Sequence, residues 1–254
     1  MQLRLDKYLA DMGVGTRSEA KRYIRRKQVT VNGLPPKGPE QKVIPGKDQI
    51  VFQGKPLPYL EYEYFMLNKP KHCVSAVTDR RYKTVIDLIT ESNRRDLFPV
   101  GRLDIDTEGL MLITNDGILA HQLLAPGKHV PKTYYARVEG RVTKEDVREF
   151  AKGLDIGEKK PVLPAELRIL ADDGGTSLPE QSSEIELTIM EGKFHQVKRM
   201  FEAVGKHVTY LKRISMGGLM LDHALLPGEY RKLTEAEINL LKNQRKAVDG
   251  KEKL

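Results

Sequence analysis

One stretch restricts the fold more than any other. From Phe98 to Gly117 the chain reads Phe-Pro-Val-Gly-Arg-Leu-Asp-Ile-Asp-Thr-Glu-Gly-Leu-Met-Leu-Ile-Thr-Asn-Asp-Gly. Asp104, Asp106 and Glu108 fall within five residues, Gly101 and Gly109 bracket them, and the apolar run Leu110 to Ile113 follows at once. Such a run reads as a buried strand. Glycines on either side allow close backbone approach and dihedrals closed to other residues. Acids placed between glycines at the start of a buried strand suit a cleft. The alternative is a turn that uses Asp for its local hydrogen bonds.

The chain has 254 residues, enough for one large domain or two unequal ones, with a core that needs no disulfide or metal. Cys73 is the only cysteine. That excludes an internal disulfide and a Cys-type four-ligand zinc site, and it fits a reducing compartment. The N-terminus lacks the apolar core of a signal peptide, and no apolar run approaches a membrane span. A cytoplasmic protein with no membrane association is expected.

Charge divides the chain unevenly. Residues 1–55 hold 12 Lys or Arg against 5 Asp or Glu, an excess of seven, while the remainder holds 31 against 30. A short segment carrying nearly all of a net +8 points to a polyanionic partner. Within it, Leu5, Tyr8, Leu9 and Met12 recur at helical spacing up to Gly13. Thr16 and Glu19 then form a capping box for a helix running to about Lys27. Arg17, Lys21 and Arg25 lie on one stripe of that helix, with Arg22 and Arg26 on the next. Val29 and Val31 alternate into Asn32-Gly33, a strong hairpin signal. Two short helices and a small hairpin, the second helix basic, resemble the RNA-binding fold named after ribosomal protein S4. The five basic residues are its candidate RNA contacts.

Prolines and a glycine in residues 53–60 predict a linker between a first domain, 1–52, and a second, 61–241. Tyr62 to Leu67 alternates as a strand and leads into Asn68-Lys69-Pro70, and Thr84 to Ile89 reads as a short helix. Asn115 or Asp116 caps a helix through about Leu124. Lys132 to Val138 is rich in strand formers. Thr143 and Asp146 open a helix that ends before Gly153, residues 171–182 form a polar loop, and Ser183 to Met190 alternates as a half-buried strand. His195 to Val204 reads as a helix closed by Gly205, with Val197, Met200 and Phe201 on its core stripe. A last capping box, Thr234 with Glu237, precedes a frayed tail over 242–254.

Gly101-Arg-Leu-Asp104 followed by Asp106-Thr-Glu-Gly109 resembles the central motif of the RsuA-type rRNA pseudouridine synthases, which carry an N-terminal S4-like domain. Lys132-Thr-Tyr134 is similar to that family's second motif, and the stretch His195-Gln-Val-Lys-Arg-Met200 to its third. The resemblance covers about residues 1–240. It implies an α+β protein: a small α/β-hairpin S4-like domain, then a catalytic domain with a mostly antiparallel mixed sheet flanked by helices. It makes Asp104 the catalytic residue, Tyr134 the side chain against the target base, and Lys198 the cation paired with Asp104. Arg199 competes with Lys198 about 100° round the helix. Arg102 is implied to contact phosphate or to fill the gap left by a flipped base. Lys69 is a further RNA contact. The family's Asn-Lys-Pro-x-Gly motif is altered here, with His72 at the glycine position.

The implied activity is isomerisation of one uridine in 16S rRNA, at uridine 516, to pseudouridine, with no cofactor and no metal. The expected partner is ribosomal RNA or a small-subunit assembly intermediate, met by a monomer. Three rival readings stay open. One is a synthase acting on 23S rRNA. Another is a metal-dependent nuclease using Asp104 and Asp106 as paired ligands. The third is a non-catalytic RNA-binding assembly factor.

Overall fold

The computed structural model describes residues 2–92, 94–170 and 182–243. Most of the expected polar loop at 171–182 and the tail beyond Asn243 lie outside the described residues. Two compact units emerge, residues 1–63 with 89–97, and residues 64–88 with 98–254.

The first unit holds β1 (Leu3–Arg4), α1 (Leu5–Asp11), α2 (Arg17–Arg25), β2 (Val29–Val31), β3 (Lys42–Val43), β4 (Ile50–Phe52) and β5 (Lys55–Pro56). Leu5, Tyr8 and Leu9 of α1 pack with Ala20 and Ile24 of α2 in one core, which is the helical spacing read from sequence. The Thr16–Glu19 capping box is formed from both sides, joining the Thr16 hydroxyl to the Glu19 amide and the Glu19 carboxylate to the Thr16 amide. Asn32 and Gly33 both take positive φ, as a tight hairpin turn requires. The strand after that turn is only an isolated bridge, Val31 to Leu34. The true partner of β2 is β4, which pairs Val31 with Ile50. Residues 53–60 are not a free linker. Gln53-Gly54 turns β4 into β5, Pro56 sits on an edge strand where its missing N–H does no harm, and Leu57 and Tyr59 pack on the core. Arg94 arrives from 89–97, forks onto Asp96, and lies 5.7 Å over the Tyr59 ring.

In the second unit the strands are β6 (Tyr64–Lys69), β7 (Phe98–Pro99), β8 (Glu108–Thr114), β9 (Lys132–Glu139), β10 (Glu166–Ile169), β11 (Ser182–Ile189), β12 (His207–Met216), β13 (Leu219–Met220) and β14 (Tyr230–Lys232). The helices are α3 (Gly117–Leu124), α4 (Lys144–Lys152), α5 (Gln196–Ala203) and α6 (Glu235–Lys242). The sheet order is β10-β11-β9-β12-β8-β6-β14, with β13 on β12 and β7 on β8. Every pairing is antiparallel except β8 with β12. This is the α+β, mostly antiparallel mixed sheet that the resemblance implied. β6 is buried throughout and β8 from Gly109 to Thr114, as expected of strands covered on both faces. Asp116 caps α3 by accepting the Leu119 N–H at 3.0 Å. The capping boxes of α4 and α6 form at Thr143–Asp146 and Thr234–Glu237. Each is worth about 1 kcal/mol.

Thr84 to Ile89 does not form a helix. The Thr84 and Asp87 side chains do exchange the hydrogen bonds of a helix start. The backbone instead bridges to Val74, which donates to Lys83 O and accepts from Val85 N–H. A nearby strand-like partner outcompetes a single turn of helix, whose nucleation is unfavourable.

Candidate active site

Asp104 sits in the loop between β7 and β8, and the loop is held from three sides. Lys69, fully buried at the end of β6, donates from Nζ to the carbonyls of Asp104 at 2.9 Å and Thr107 at 2.8 Å. Ser75 Oγ donates to Leu103 O and accepts the Leu103 N–H. The His72 N–H reaches Ile105 O at 2.8 Å. His72 has φ +61°, the left-handed conformation that favours glycine, so the backbone at this position suits the family's glycine despite the substitution. Gly109 has φ +102°, and a Cβ there would lie 2.2 Å from Arg213 O. Only glycine lets β8 approach β12 so closely at the end of the loop. These contacts overturn Lys69 as an RNA contact: an ammonium with no exposed surface and three carbonyl partners cannot reach phosphate. It acts as a clamp on the loop that carries Asp104.

The three acids of the motif part company. Glu108 is taken up by Tyr210, whose hydroxyl donates to it at 2.6 Å. Asp106 receives both hydrogen bonds of Lys198 Nζ, at 2.7 and 2.8 Å. Asp104 lies 3.5 Å from the same ammonium and 3.5 Å from His195 Nε2. Lys198 therefore bridges two carboxylates and hydrogen-bonds the one that resemblance did not select. A point charge can be shared in this way, whereas a guanidinium fork favours one bidentate partner. Burial draws the Asp106 carboxyl upward, but the Lys198 hydrogen bond and charge outweigh it and hold the group below its ordinary range. Arg199 is excluded as the rival cation. Its guanidinium turns to Glu158 and to the Phe194 and Ile156 carbonyls.

Asp104 and Lys198 line a cavity of about 450 Å³ in the second unit. Tyr134 lines it too, nearly buried, while Tyr135 points to the other face and meets Tyr210 edge-on. The period of two along β9 thus sorts the two tyrosines. Arg102 is exposed on the cavity wall. Three lining groups had no role in the reading of the sequence. His195 opens α5 at φ +49° with its ring stacked on Phe194, centroids 3.8 Å apart, and Phe194 is 70% exposed. Lys132 and Arg213 are buried in the lining. The signal for Lys132 was its place two residues before Tyr134 on one strand face; Arg213 is visible only once β12 is paired with β9.

In the first unit, Arg17, Lys21, Arg22 and Arg25 of α2 and Arg26 at its C-cap are all exposed. Arg22 has one acidic neighbour, Glu19, at 3.6 Å. Among the described residues no group of three His, Cys, Asp or Glu side chains is placed to hold a metal ion, and the space between Asp104 and Asp106 is taken by the Lys198 ammonium.

One cavity thus gathers a carboxylate, an ammonium and a tyrosine, and a basic helix lies earlier in the chain. Residues 63–203 match the RNA pseudouridylate synthase family and residues 3–47 match the S4 domain. The chain belongs to the RNA pseudouridylate synthase family, and is an isomerase carrying an S4 domain. It is 47% identical over 240 residues to the RNA pseudouridine synthase YtzG of Bacillus subtilis (strain 168), covering 94% of this chain and 98% of that protein. It is 41% identical over 238 residues to ribosomal small subunit pseudouridine synthase A of Escherichia coli (strain K12), covering 93% and 98%. A solved pseudouridylate synthase, 39% identical, superposes with a TM-score of 0.64 over 94% of this chain and 99% of that one.

Proposed function

We propose that this protein isomerises one uridine of ribosomal RNA, uridine 516 of the 16S molecule, to pseudouridine. The observation that carries the chemistry is the Asp104 carboxylate in the cavity with Lys198 Nζ 3.5 Å away. Support for the small subunit comes from the Escherichia coli relative named for it, matched nearly end to end. The reaction breaks the N1–C1′ bond, turns the uracil, and rejoins it through C5. Asp104 acts on the sugar, Lys198 stands beside it as a counter-ion, and Tyr134 receives the extruded ring. Stacking on an aromatic ring recovers roughly 1–3 kcal/mol per base, which offsets the few kcal/mol spent on unstacking. Arg102 faces the backbone of the flipped nucleotide or fills its place in the stack.

In this reading residues 1–52 form the RNA-docking module and 61–241 the catalytic domain. Arg17, Lys21, Arg22, Arg25 and Arg26 meet phosphates of folded RNA. RNA sequence is read chiefly where bases are unpaired, so a basic helix on folded RNA plus a cavity for one base suits rRNA or an assembly intermediate. The protein works as a monomer in the cytoplasm. The test is deletion of the gene followed by carbodiimide-dependent reverse-transcription stops on both large rRNAs. Loss of one 16S stop, restored by the intact gene, is expected. Loss of a 23S stop with 16S unchanged moves the substrate to the large subunit.

A further inference from the structure

Beneath Tyr134 the cavity holds an arrangement that the proposed reaction so far leaves unused. Lys132 and Arg213 lie on the neighbouring strands β9 and β12, and Arg213 is the direct cross-strand partner of Tyr134. Cross-strand partners share a sheet face, and so do residues two apart on one strand. Lys132, Tyr134 and Arg213 therefore stand together, and all three line the cavity. Arg213 is 2% exposed and Lys132 9%. Lys132 Nζ donates to Val130 O at 2.9 Å. Arg213 donates to Leu110 O through Nε at 2.8 Å and approaches Met111 Sδ through Nη2 at 4.0 Å. Among the described residues neither cation has a carboxylate within ion-pair distance. Buried charges are ordinarily paired, because leaving one unpaired is costly. Two together favour an anion, which no described side chain supplies. Burial, and then the charge of Arg213, push the Lys132 amine down to about 8.

We propose that Lys132 and Arg213 form an electrostatic floor for the uracil ring once it has parted from its sugar. This rests on the synthase reading above. When the N1–C1′ bond breaks, the electron pair stays with the ring, which becomes an anion with charge spread over N1, O2 and O4. The electron-deficient sugar carbon is left opposite the Asp104 carboxylate. The ring turns, C5 bonds to C1′ and sheds its proton, and N1 takes up a proton, so atoms and electrons balance with no other reactant. The floor holds the charge during the turn and lies in the same cavity as Asp104.

Lys132→Met and Lys132→Arg test this, with circular dichroism melts confirming that each folds. In single turnover on a 16S rRNA transcript, Lys132→Met slows the chemical step on the order of a hundredfold, the scale of losing one preorganised charge-stabilising donor. RNA affinity and its salt dependence stay unchanged, and Lys132→Arg recovers most of the rate. Independently of any turnover, intact protein binds 5-nitrouracil, an anion near neutral pH, at least about tenfold more tightly than uracil. Lys132→Met abolishes that preference. An unchanged chemical step in Lys132→Met overturns the proposal. So does weaker RNA binding with a flatter salt slope, which assigns the floor to phosphate, and so does wild-type protein that does not prefer 5-nitrouracil. Intact protein that yields no pseudouridine on the 16S transcript but still prefers the anion overturns the 16S substrate and leaves the floor standing.

Discussion

Removing the Lys198 ammonium isolates what the shared cation does. Lys198→Met leaves Asp104 and Asp106 without the group that lies 3.5 Å from one and 2.7 Å from the other. A unit charge pair at 3.5 Å is worth about 1 kcal/mol in bulk water and about 5 at an effective dielectric of 20. Lys198 is 21% exposed, Asp104 29% and Asp106 58%, so solvent screening places the loss in the lower half of that range. One to three kcal/mol corresponds to roughly 5- to 150-fold in kcat/KM. Lys198→Arg keeps the charge and loses less than about tenfold. Stability follows the same cation. The folded Asp106 carboxyl lies below its ordinary value because of Lys198, so its contribution is present above the unfolded carboxylate pKa. It is lost as pH falls through the folded value. Lys198→Met removes that acid-side dependence and leaves the neutral-to-alkaline part of the stability curve unchanged in shape. The assays are single-turnover kinetics and urea melts from pH 3 to 7. Wild-type kcat/KM in Lys198→Met, or an acid-side stability profile identical to wild type, refutes the reasoning.

Gly109→Ala puts a Cβ 2.2 Å from Arg213 O at a φ of +102°, so backbone strain and overpacking combine to cost about 2–4 kcal/mol, read as a lower urea midpoint with an unchanged m-value. Changing Arg17, Lys21, Arg22 and Arg25 together to Gln flattens the slope of log affinity against log salt by about 0.7–0.9 for each phosphate no longer neutralised, with the melting temperature unaffected. Lys69→Met lowers kcat more than it raises the RNA dissociation constant, because it releases the loop carbonyls of Asp104 and Thr107. Burial also pushes the Lys69 amine down to about 8 from 10.5. Between those values the unfolded chain binds a proton that the folded protein has released, so this group makes wild-type stability rise with pH there. Chemical melts at pH 8 and 10 show that rise in wild type and a smaller one in Lys69→Met.

Much of this was legible from residue order because local rules decided it. Capping pairs at Thr16, Thr143 and Thr234 set three helix starts, strand-forming residues set β9, and alternation set β11. Gly101 and Gly109 announced the close approach that the loop makes. What escaped depends on partners distant in the chain. Thr84 has the right local hydrogen bonds for a helix and yields to Val74. The proline signal of 53–60 reads alike for a linker and an edge strand, and only β4 decides between them. Lys69 looks like a surface lysine until the Asp104 loop folds over it. Charge type alone could not say that Lys198 would bridge two carboxylates, and Arg213 joins the cavity through a strand pairing that no local pattern announces.

The most direct test of Asp104 as the catalytic carboxylate is the comparison of Asp104→Asn with Asp106→Asn in single turnover on 16S rRNA, with product read as carbodiimide-dependent stops and RNA affinity measured in parallel. Asn keeps the shape of each side chain and removes its charge. Asp104→Asn is expected to yield no pseudouridine, with RNA affinity within a few-fold of wild type. Asp106→Asn is expected to be slowed but active, since Asp106 acts through Lys198. Full activity in Asp104→Asn together with a dead Asp106→Asn would contradict that assignment.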